Sequence, residues 1–296
     1  MIMQNEPYLT TAEVAAYLRL KERTIYDLVA RRAIPCSRVT GKLIFPRRMI
    51  DRWVEANLDM AEIPVAPAPP IVAGSSDPLL EWALRESGSG LATLFEGSEA
   101  GLRRLAEGQA VAAGLHLIEA DGADYNRETA RRAAAPADLV LLRWAWRMQG
   151  LVVAPGNPLG LGGLADVHAR GARLIARQAG SGARLLLDHL FRASGIDAEQ
   201  CNLLATTALT EADIAAAIAE GSADCGIAIA AAARGRAVDF VPLWRERFDI
   251  ACRRRDAFEA PLQKLFEFAR SERFRRKAAS LGGYDLAGLG QVEFNR

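Results

Sequence analysis

The chain has 296 residues, half of them apolar and a quarter charged, with a formal net charge of +1. That balance describes a soluble globular protein of two or three compact units and excludes a collagen-like, disordered or strongly basic chain. No apolar run approaches the length of a membrane span, no signal pattern is present, and the four cysteines and three histidines show no CxxC or HxxxH spacing. The expected location is therefore the cytoplasm, with no membrane partner, no metal, no cofactor and no disulfide framework.

Charge is unevenly spread: residues 1–60 hold ten Lys/Arg against seven Asp/Glu, and the remainder 27 against 29. A mildly basic head permits nucleic-acid contact. In YLTTAEVAAYLRL, the spacing Thr10-x-x-Glu13 is a capping box, and Val14, Ala15 and Leu18 form the apolar face of a first helix. After a break at Leu20-Lys21-Glu22, RTIYDLVARRA gives a second helix with Ile25, Leu28 and Val29 inward. Two short helices across a tight turn are helix-turn-helix geometry. Ser37-Arg38-Val39 and Lys42-Leu43-Ile44-Phe45 around Thr40-Gly41 read as a hairpin, and Pro46 starts a third helix with Ile50, Trp53 and Val54 toward the core.

On the second helix, Arg23 and Thr24 sit at the end that points at base edges, with Tyr26 on the same outer face. Arg31, Arg32, Arg38, Lys42, Arg47 and Arg48 are placed for phosphates. Singly, each is also an ordinary solvated side chain. Together, residues 8–58 resemble the winged helix-turn-helix of the excisionase and MerR-like DNA-binding family: a Thr-x-Glu-Val-Ala helix, a Thr-Ile-Tyr recognition helix, an Ile-Pro turn, a Gly-Lys wing and a Phe-Pro-Arg-x-x-Ile helix start. The resemblance implies a DNA-binding domain over 1–60, a recognition helix at about Glu22–Arg32 and a wing tip at Thr40-Gly41-Lys42.

Residues 61–70, AEIPVAPAPP, carry four prolines and read as a semi-rigid linker. Beyond it strands and helices alternate, with strands expected at 71–73, 91–95, 111–115, 139–143, 151–154, 173–176, 225–229 and 238–241. Helices are expected near 78–85, 99–107, 182–193, 211–220 and 260–281. Such alternation implies an α/β sheet with ligands at the carboxyl ends of strands, and the length favours two lobes.

Four small-residue turns recur after apolar strands: Gly74-Ser75-Ser76-Asp77, Gly97-Ser98-Glu99, Gly156-Asn157-Pro158 and Gly180-Ser181-Gly182. Glycine admits close approach of a ligand, and a serine hydroxyl beside free N–H groups at a helix N-terminus favours an anion. A Gly-Ser turn is equally an ordinary helix cap. Arg177 and Arg184 flank the last turn and offer guanidinium donors; the alternative is an Arg184–Asp188 pair one helical turn apart and a surface Arg177. His116, Asn126 and Arg147 are further candidates for the site. His116 beside Asp124 has the makings of a base, but no nucleophile-base-orienter set stands at readable spacing, and no enzyme is expected.

The segments VAGSSDPLL, GSEAGLRRLAEGQAVAAGLHL, Asp124-Tyr125-Asn126, MQGLVVAPGNP, ARQAGSGARLLLDHLFRASGID, GSADCGIAI, DFVPLWRERFDI and LGGYDLAGLGQV run in order through 71–296. They resemble the periplasmic-binding-protein-like domain found behind helix-turn-helix heads and associated with molybdate or molybdopterin regulators. The resemblance implies a type II fold like that of molybdate-binding and LysR substrate-binding domains. Lobe I would comprise about 71–147 and 246–296, lobe II about 148–245, with hinge strands near 145–153 and 238–250. The expected ligand set is Ser75, Ser76, Asp77, Ser98, His116, Asn126, Arg147, Arg177, Ser181, Gly182 and Arg184. The chain departs from the family pattern at Ser76, where a histidine is usual, at Ala183, where a threonine is usual, and at Glu211, where a histidine follows Thr210.

The whole reads as a one-component transcriptional regulator, at least a homodimer, whose partners are double-stranded DNA and a small anionic ligand such as a molybdate- or tungstate-like oxyanion or a related metabolite. Lobe closure is expected to alter DNA affinity. The alternative is a binding or enzymatic protein of molybdenum-cofactor metabolism with an accessory head.

Overall fold

In the computed structural model, residues 7–39, 41–57, 67–119, 122, 124–133 and 138–295 are described. The chain's contacts separate into two units, Met1–Ala66 and Pro67–Arg296. Of the expected linker, residues 61–66 lie outside the described residues, as does Thr40 of the expected wing tip; 67–70 form neither helix nor strand.

The first unit runs β1 (Tyr8–Leu9), α1 (Thr11–Tyr17), α2 (Glu22–Ala30), β2 (Ser37–Val39), β3 (Lys42–Pro46) and α3 (Arg47–Ala56). The capping box forms: Thr10 Oγ1 accepts from the Glu13 amide at 3.3 Å, and Glu13 Oε2 accepts from the Thr10 amide at 2.7 Å. The three strands pair in the order β1-β3-β2. Leu9, Val14, Ala15, Ile25, Val29, Ile34, Phe45 and Ile50 make one buried core. Two expectations are corrected. Pro46 closes β3 and α3 starts at Arg47, and Val54 is exposed, because Ile50 and Trp53 already carry the inward stripe. The indole of Trp53 fixes that stripe by donating to the Ala33 carbonyl at 2.6 Å.

The second unit runs β4 (Ile71–Gly74), α4 (Pro78–Glu86), β5 (Ala92–Phe95), α5 (Ser98–Ala106), β6 (Ala112–Leu115), α6 (Arg127–Ala133) and β7 (Leu139–Val153). It continues with α7 (Leu164–Ala169), β8 (Leu174–Arg177), α8 (Gly182–Ser194), β9 (Leu203–Ala208), α9 (Glu211–Ala219), β10 (Cys225–Ile229) and α10 (Ala230–Ala233). It ends with β11 (Asp239–Arg253), α11 (Arg254–Ala257), α12 (Ala260–Ala269), α13 (Glu272–Leu281), β12 (Tyr284–Asp285) and β13 (Val292–Asn295). Among the described residues these strands form one sheet, β5-β4-β6-β11-β7-β10-β8-β9, with β12 and β13 on β7.

Fully buried parallel strands read as short apolar runs because both faces are covered, and β4, β6, β8 and β10 follow that rule. The helix α5 lies close on β4 because Gly101 has no side chain: a β-carbon there would sit 2.2 Å from the α-carbon of Gly74. β7 and β11, antiparallel along their lengths, pass through both halves of the sheet. The first half packs Val72, Leu80, Trp144, Phe248, Leu265 and Phe274; the second packs Leu151, Leu174, Leu187, Phe191 and Ile227. β7 is one strand where two are expected, at 139–143 and 151–154, because Arg143, Arg147 and Gln149 interrupt its apolar pattern. The single helix expected near 260–281 is two, α12 and α13, which part at Ser271, the cap that accepts from the Phe274 amide at 3.2 Å. No described helix is long and apolar enough to cross a membrane.

Candidate functional site

The sheet carries two charged regions, one buried at the middle of β7 and β11 and the other open. In the buried one, Arg147 is 1% exposed. Its Nε donates to Glu246 Oε1 at 2.8 Å and its Nη1 to Asp77 Oδ2 at 3.0 Å; its Nη2 also binds Glu246. The guanidinium lies 4.3 Å from the Phe248 ring centroid. Asp77 is spent as well: it caps α4 by accepting from the Leu80 amide at 2.8 Å, and it accepts from the Tyr284 hydroxyl at 2.7 Å. Glu246 further meets His116 Nδ1 at 2.9 Å and Gln149 Nε2 at 3.0 Å. Burial alone would raise the Glu246 carboxyl, but Arg147 and His116 outweigh it and hold it down at about 2.

His116 therefore has Glu246, not Asp124, as its carboxylate partner. Asp124 instead binds Arg247 at 2.8 Å. The His116 ring also fills the place of a side chain on the other half of the sheet, since a β-carbon at Gly182 would lie 2.5 Å from it. Asn126 is fully buried and takes a positive φ of 64°. Its amide accepts from the Leu117 amide at 2.6 Å and donates to Leu115 and to Asp249 Oδ2, so it braces the loop before α6.

The open region is a cleft of about 540 Å³ between the two halves. Ser75, Ser76, Trp82, Phe95 and Gly97 come from one side; Arg177, Leu209, Glu211 and Ala231 come from the other. Of the residues expected at the site, Ser75, Ser76 and Arg177 line this cleft, and Asp77, Ser98, His116, Asn126, Arg147, Ser181, Gly182 and Arg184 are not in its lining. The reasons are local. Ser98 Oγ shares a 2.8 Å bond with Ser75 Oγ and accepts from the His116 amide at 3.1 Å. Ser181 Oγ donates to the Gln178 carbonyl at 2.9 Å and caps α8 by accepting from the Arg184 amide at 3.2 Å. Arg184 pairs with Asp188 at 2.9 Å. The Gly97 and Gly180 turns approach each other: a β-carbon at Gly97 would lie 3.4 Å from the Gly180 carbonyl oxygen.

Arg177 stands apart. It is 8% exposed, yet its Nε and Nη2 meet only neutral acceptors, Gln178 Oε1 at 3.0 Å and the Leu209 carbonyl at 2.8 Å. No described carboxylate forms an ion pair with it; burial lowers its affinity for the proton, and the nearby charges of Glu211 and Asp213 offset that only in part. The cleft also holds Arg85, Arg234, Arg236 and Lys277, which sequence reading missed because they come from α4, the segment after α10 and α13. Glu81 and Glu211 are its carboxylates. Glu211 accepts from the Ile229 amide at 3.0 Å.

In the first unit, Arg23, Thr24 and Tyr26 are exposed on α2, and Arg31, Arg38 and Lys42 are exposed around it. The recognition helix ends at Ala30, earlier than the expected Arg32, and Arg32 leaves it at a φ of 56°. Arg47 is half-buried over the Tyr17 ring, 4.8 Å from its centroid. Tyr26, Arg38 and Lys42 line a groove of about 600 Å³ with Thr10, Thr11 and Glu22.

A sequence profile for the PBP superfamily domain matches residues 80–270, and one for a helix-turn-helix domain matches residues 8–58. The chain belongs to the PBP superfamily and carries a helix-turn-helix domain ahead of it. It is 26% identical over 303 residues to the uncharacterized protein YvgK of Bacillus subtilis (strain 168), covering 96% of each chain. An uncharacterized protein from the 5′ region of a ferredoxin 2Fe-2S gene of Clostridium pasteurianum is 29% identical over 111 residues, 36% of this chain and 96% of that one.

Among solved structures, a putative phosphate ABC transporter substrate-binding protein from Clostridium perfringens, with bound phosphate, superposes at a TM-score of 0.55 and 15% identity, covering 71% of this chain and 96% of that one. The CcmR regulatory domain of Synechocystis PCC6803, in complex with 2-PG, superposes at 0.50 and 14%, covering 67% and 92%. The tungstate ABC transporter protein of Geobacter sulfurreducens does so at 0.50 and 13%, covering 70% and 95%. These likenesses establish the fold. Both domains resemble DNA-binding and ligand-binding families and not catalytic ones.

Proposed function

We propose that the chain is a one-component transcriptional regulator whose helix-turn-helix unit binds duplex DNA and whose second unit senses a small anionic ligand in the cleft, with division into lobes I and II near 148 and 245. Arg177 carries the reading. A buried guanidinium whose hydrogen bonds go only to neutral acceptors has no directly bonded carboxylate, with Glu211 and Asp213 acting only from a distance, and a bound anion supplies the missing contact. Ser75 and Ser76 add hydroxyls on the facing wall. The ligands bound in two structural relatives, phosphate and 2-PG, are anions, in keeping with this chemistry. Any effect of the ligand on DNA affinity is a coupling free energy and must be mutual.

The test is fluorescence anisotropy of the full chain on duplex DNA. Affinity falls steeply with salt, and Arg23→Ala or Lys42→Ala each lowers the salt slope by about one unit if its side chain meets a phosphate. Salt-independent binding overturns the DNA assignment. An anion that stabilises the wild-type chain changes DNA affinity and has no effect on Arg177→Ala; an anion response that survives this substitution overturns the assignment of the cleft. Light scattering reads out the proposed homodimer, which two half-sites require.

A further inference from the structure

The cleft is richer than a site for a bare tetrahedral oxyanion needs to be. Such an ion is a central atom with four oxygens, offers no apolar surface, and, as molybdate, tungstate or sulfate near neutral pH, donates no hydrogen bond. The cleft's volume of about 540 Å³ falls within the range of roughly 300–1,000 Å³ typical of organic small-molecule sites. Its walls include the Trp82 and Phe95 rings and the apolar side chains of Leu209, Ala231 and Leu281.

The second observation is a carboxylate. Glu81 projects from α4 into the lining, half-buried, and its side chain makes no ion pair or hydrogen bond among the described residues. Burial and the neighbouring Asp77 raise its carboxyl above the ordinary range, against the pull of Arg85. The same cleft thus holds a guanidinium, Arg177, whose hydrogen bonds go only to neutral acceptors with Glu211 no closer than a through-space charge, and a carboxylate, Glu81, that accepts no hydrogen bond from a described residue. A ligand that were only an anion would satisfy Arg177 and leave Glu81 facing its charge. One with an anionic group and a hydroxyl or ammonium group satisfies both.

Resting on the cleft as the ligand site, we infer that its ligand is an organic anion that also carries hydrogen-bond donors, a hydroxy- or amino-acid or its phosphate ester, and not an inorganic oxyanion. The anionic group pairs with Arg177, the donors face Glu81, and the carbon skeleton lies along Trp82 and Phe95.

The experiment is thermal unfolding and calorimetric titration of the full chain with molybdate, tungstate, sulfate and phosphate in one arm, and with 3-phosphoglycerate, O-phosphoserine and citrate in the other. The expected result is saturable binding of at least one organic anion, at least tenfold tighter than any inorganic ion. Glu81→Gln then weakens it about tenfold, and the variant folds normally because the carboxylate bonds to nothing in the protein. Any of the four inorganic ions, phosphate with its own hydroxyl donor included, binding as tightly as the organic anions overturns the inference while the cleft reading stands. Organic binding indifferent to both Glu81→Gln and Trp82→Ala also overturns it. No binding in either arm overturns the inference and the cleft reading together.

Discussion

Arg147 and Arg177 are both buried guanidiniums on strands of one sheet, and they differ in what faces them. Arg147 meets two carboxylates and an aromatic ring; Arg177 meets one amide oxygen and one carbonyl. Burying a charge is costly unless it is paired, and a closed cluster meets that need within the chain. Around Arg177 no such closed cluster forms. Both guanidiniums are buried, so burial and residue type do not separate them; the directly bonded carboxylate that Arg147 has and Arg177 lacks does.

The largest expected effect breaks the comparison directly. Arg147→Met leaves Asp77 and Glu246 buried without their cation and lowers unfolding stability by about 3–5 kcal/mol, whereas Arg177→Met leaves the ligand-free stability unchanged or raises it. Urea unfolding of both variants decides: equal losses would mean that Arg177 is structural after all.

Next in size is the pH dependence of two buried carboxylates, Glu246 in the closed cluster and Asp249 beside Arg247. Glu246 is held at about 2 from an ordinary 4.5, so its contribution is fully present above 4.5 and is lost as pH falls through about 2, at roughly 1.4 kcal/mol for each pKa unit. Asp249 has the opposite sign. Burial pushes it up to about 6, despite Arg247 and Asn126, so its contribution is present below its ordinary value of 3.8 and is lost as pH rises through about 6. Unfolding midpoints against pH should fall at both ends; Glu246→Gln should remove the acid-side loss and Asp249→Asn the loss near 6.

The smallest effect separates a cap from a contact. Ser181→Ala removes the α8 cap and costs about 1 kcal/mol of stability, with no change in ligand affinity, because the hydroxyl already donates to Gln178. A loss of affinity at unchanged stability would return Ser181 to the cleft.

Much of the fold was legible because it is locally encoded. The Thr10–Glu13 box and the Ile25–Val29 stripe need only helical spacing, and β4, β8 and β10 announce themselves as apolar runs. β9 escaped because LLATTA alternates little and lies half exposed. In the cleft, Ser75, Ser76 and Arg177 were readable as strand-end turns. Arg85, Arg234 and Lys277 were not, since only the topology brings α4, the segment after α10 and α13 to one wall. Equally hidden was the fate of Asp77 and Ser181, whose partners are set by packing and by the helix ends they cap. A turn that caps a helix and a turn that binds an anion have the same sequence.

The two long strands that traverse the sheet impose an order of assembly. β7 pairs with β11 from Leu139 with Arg253 to Val153 with Asp239, and it also receives β13 at Val140–Leu142. Each half of the sheet is thereby completed by chain synthesised long after its first strands, so non-local loop closure precedes the contacts that reward it. During translation β4 to β6 must wait for residues 249–252 to cover their open edge, and a chain interrupted within 154–238 would strand both halves with exposed strand edges, prone to aggregation and not competent to fold as separate modules.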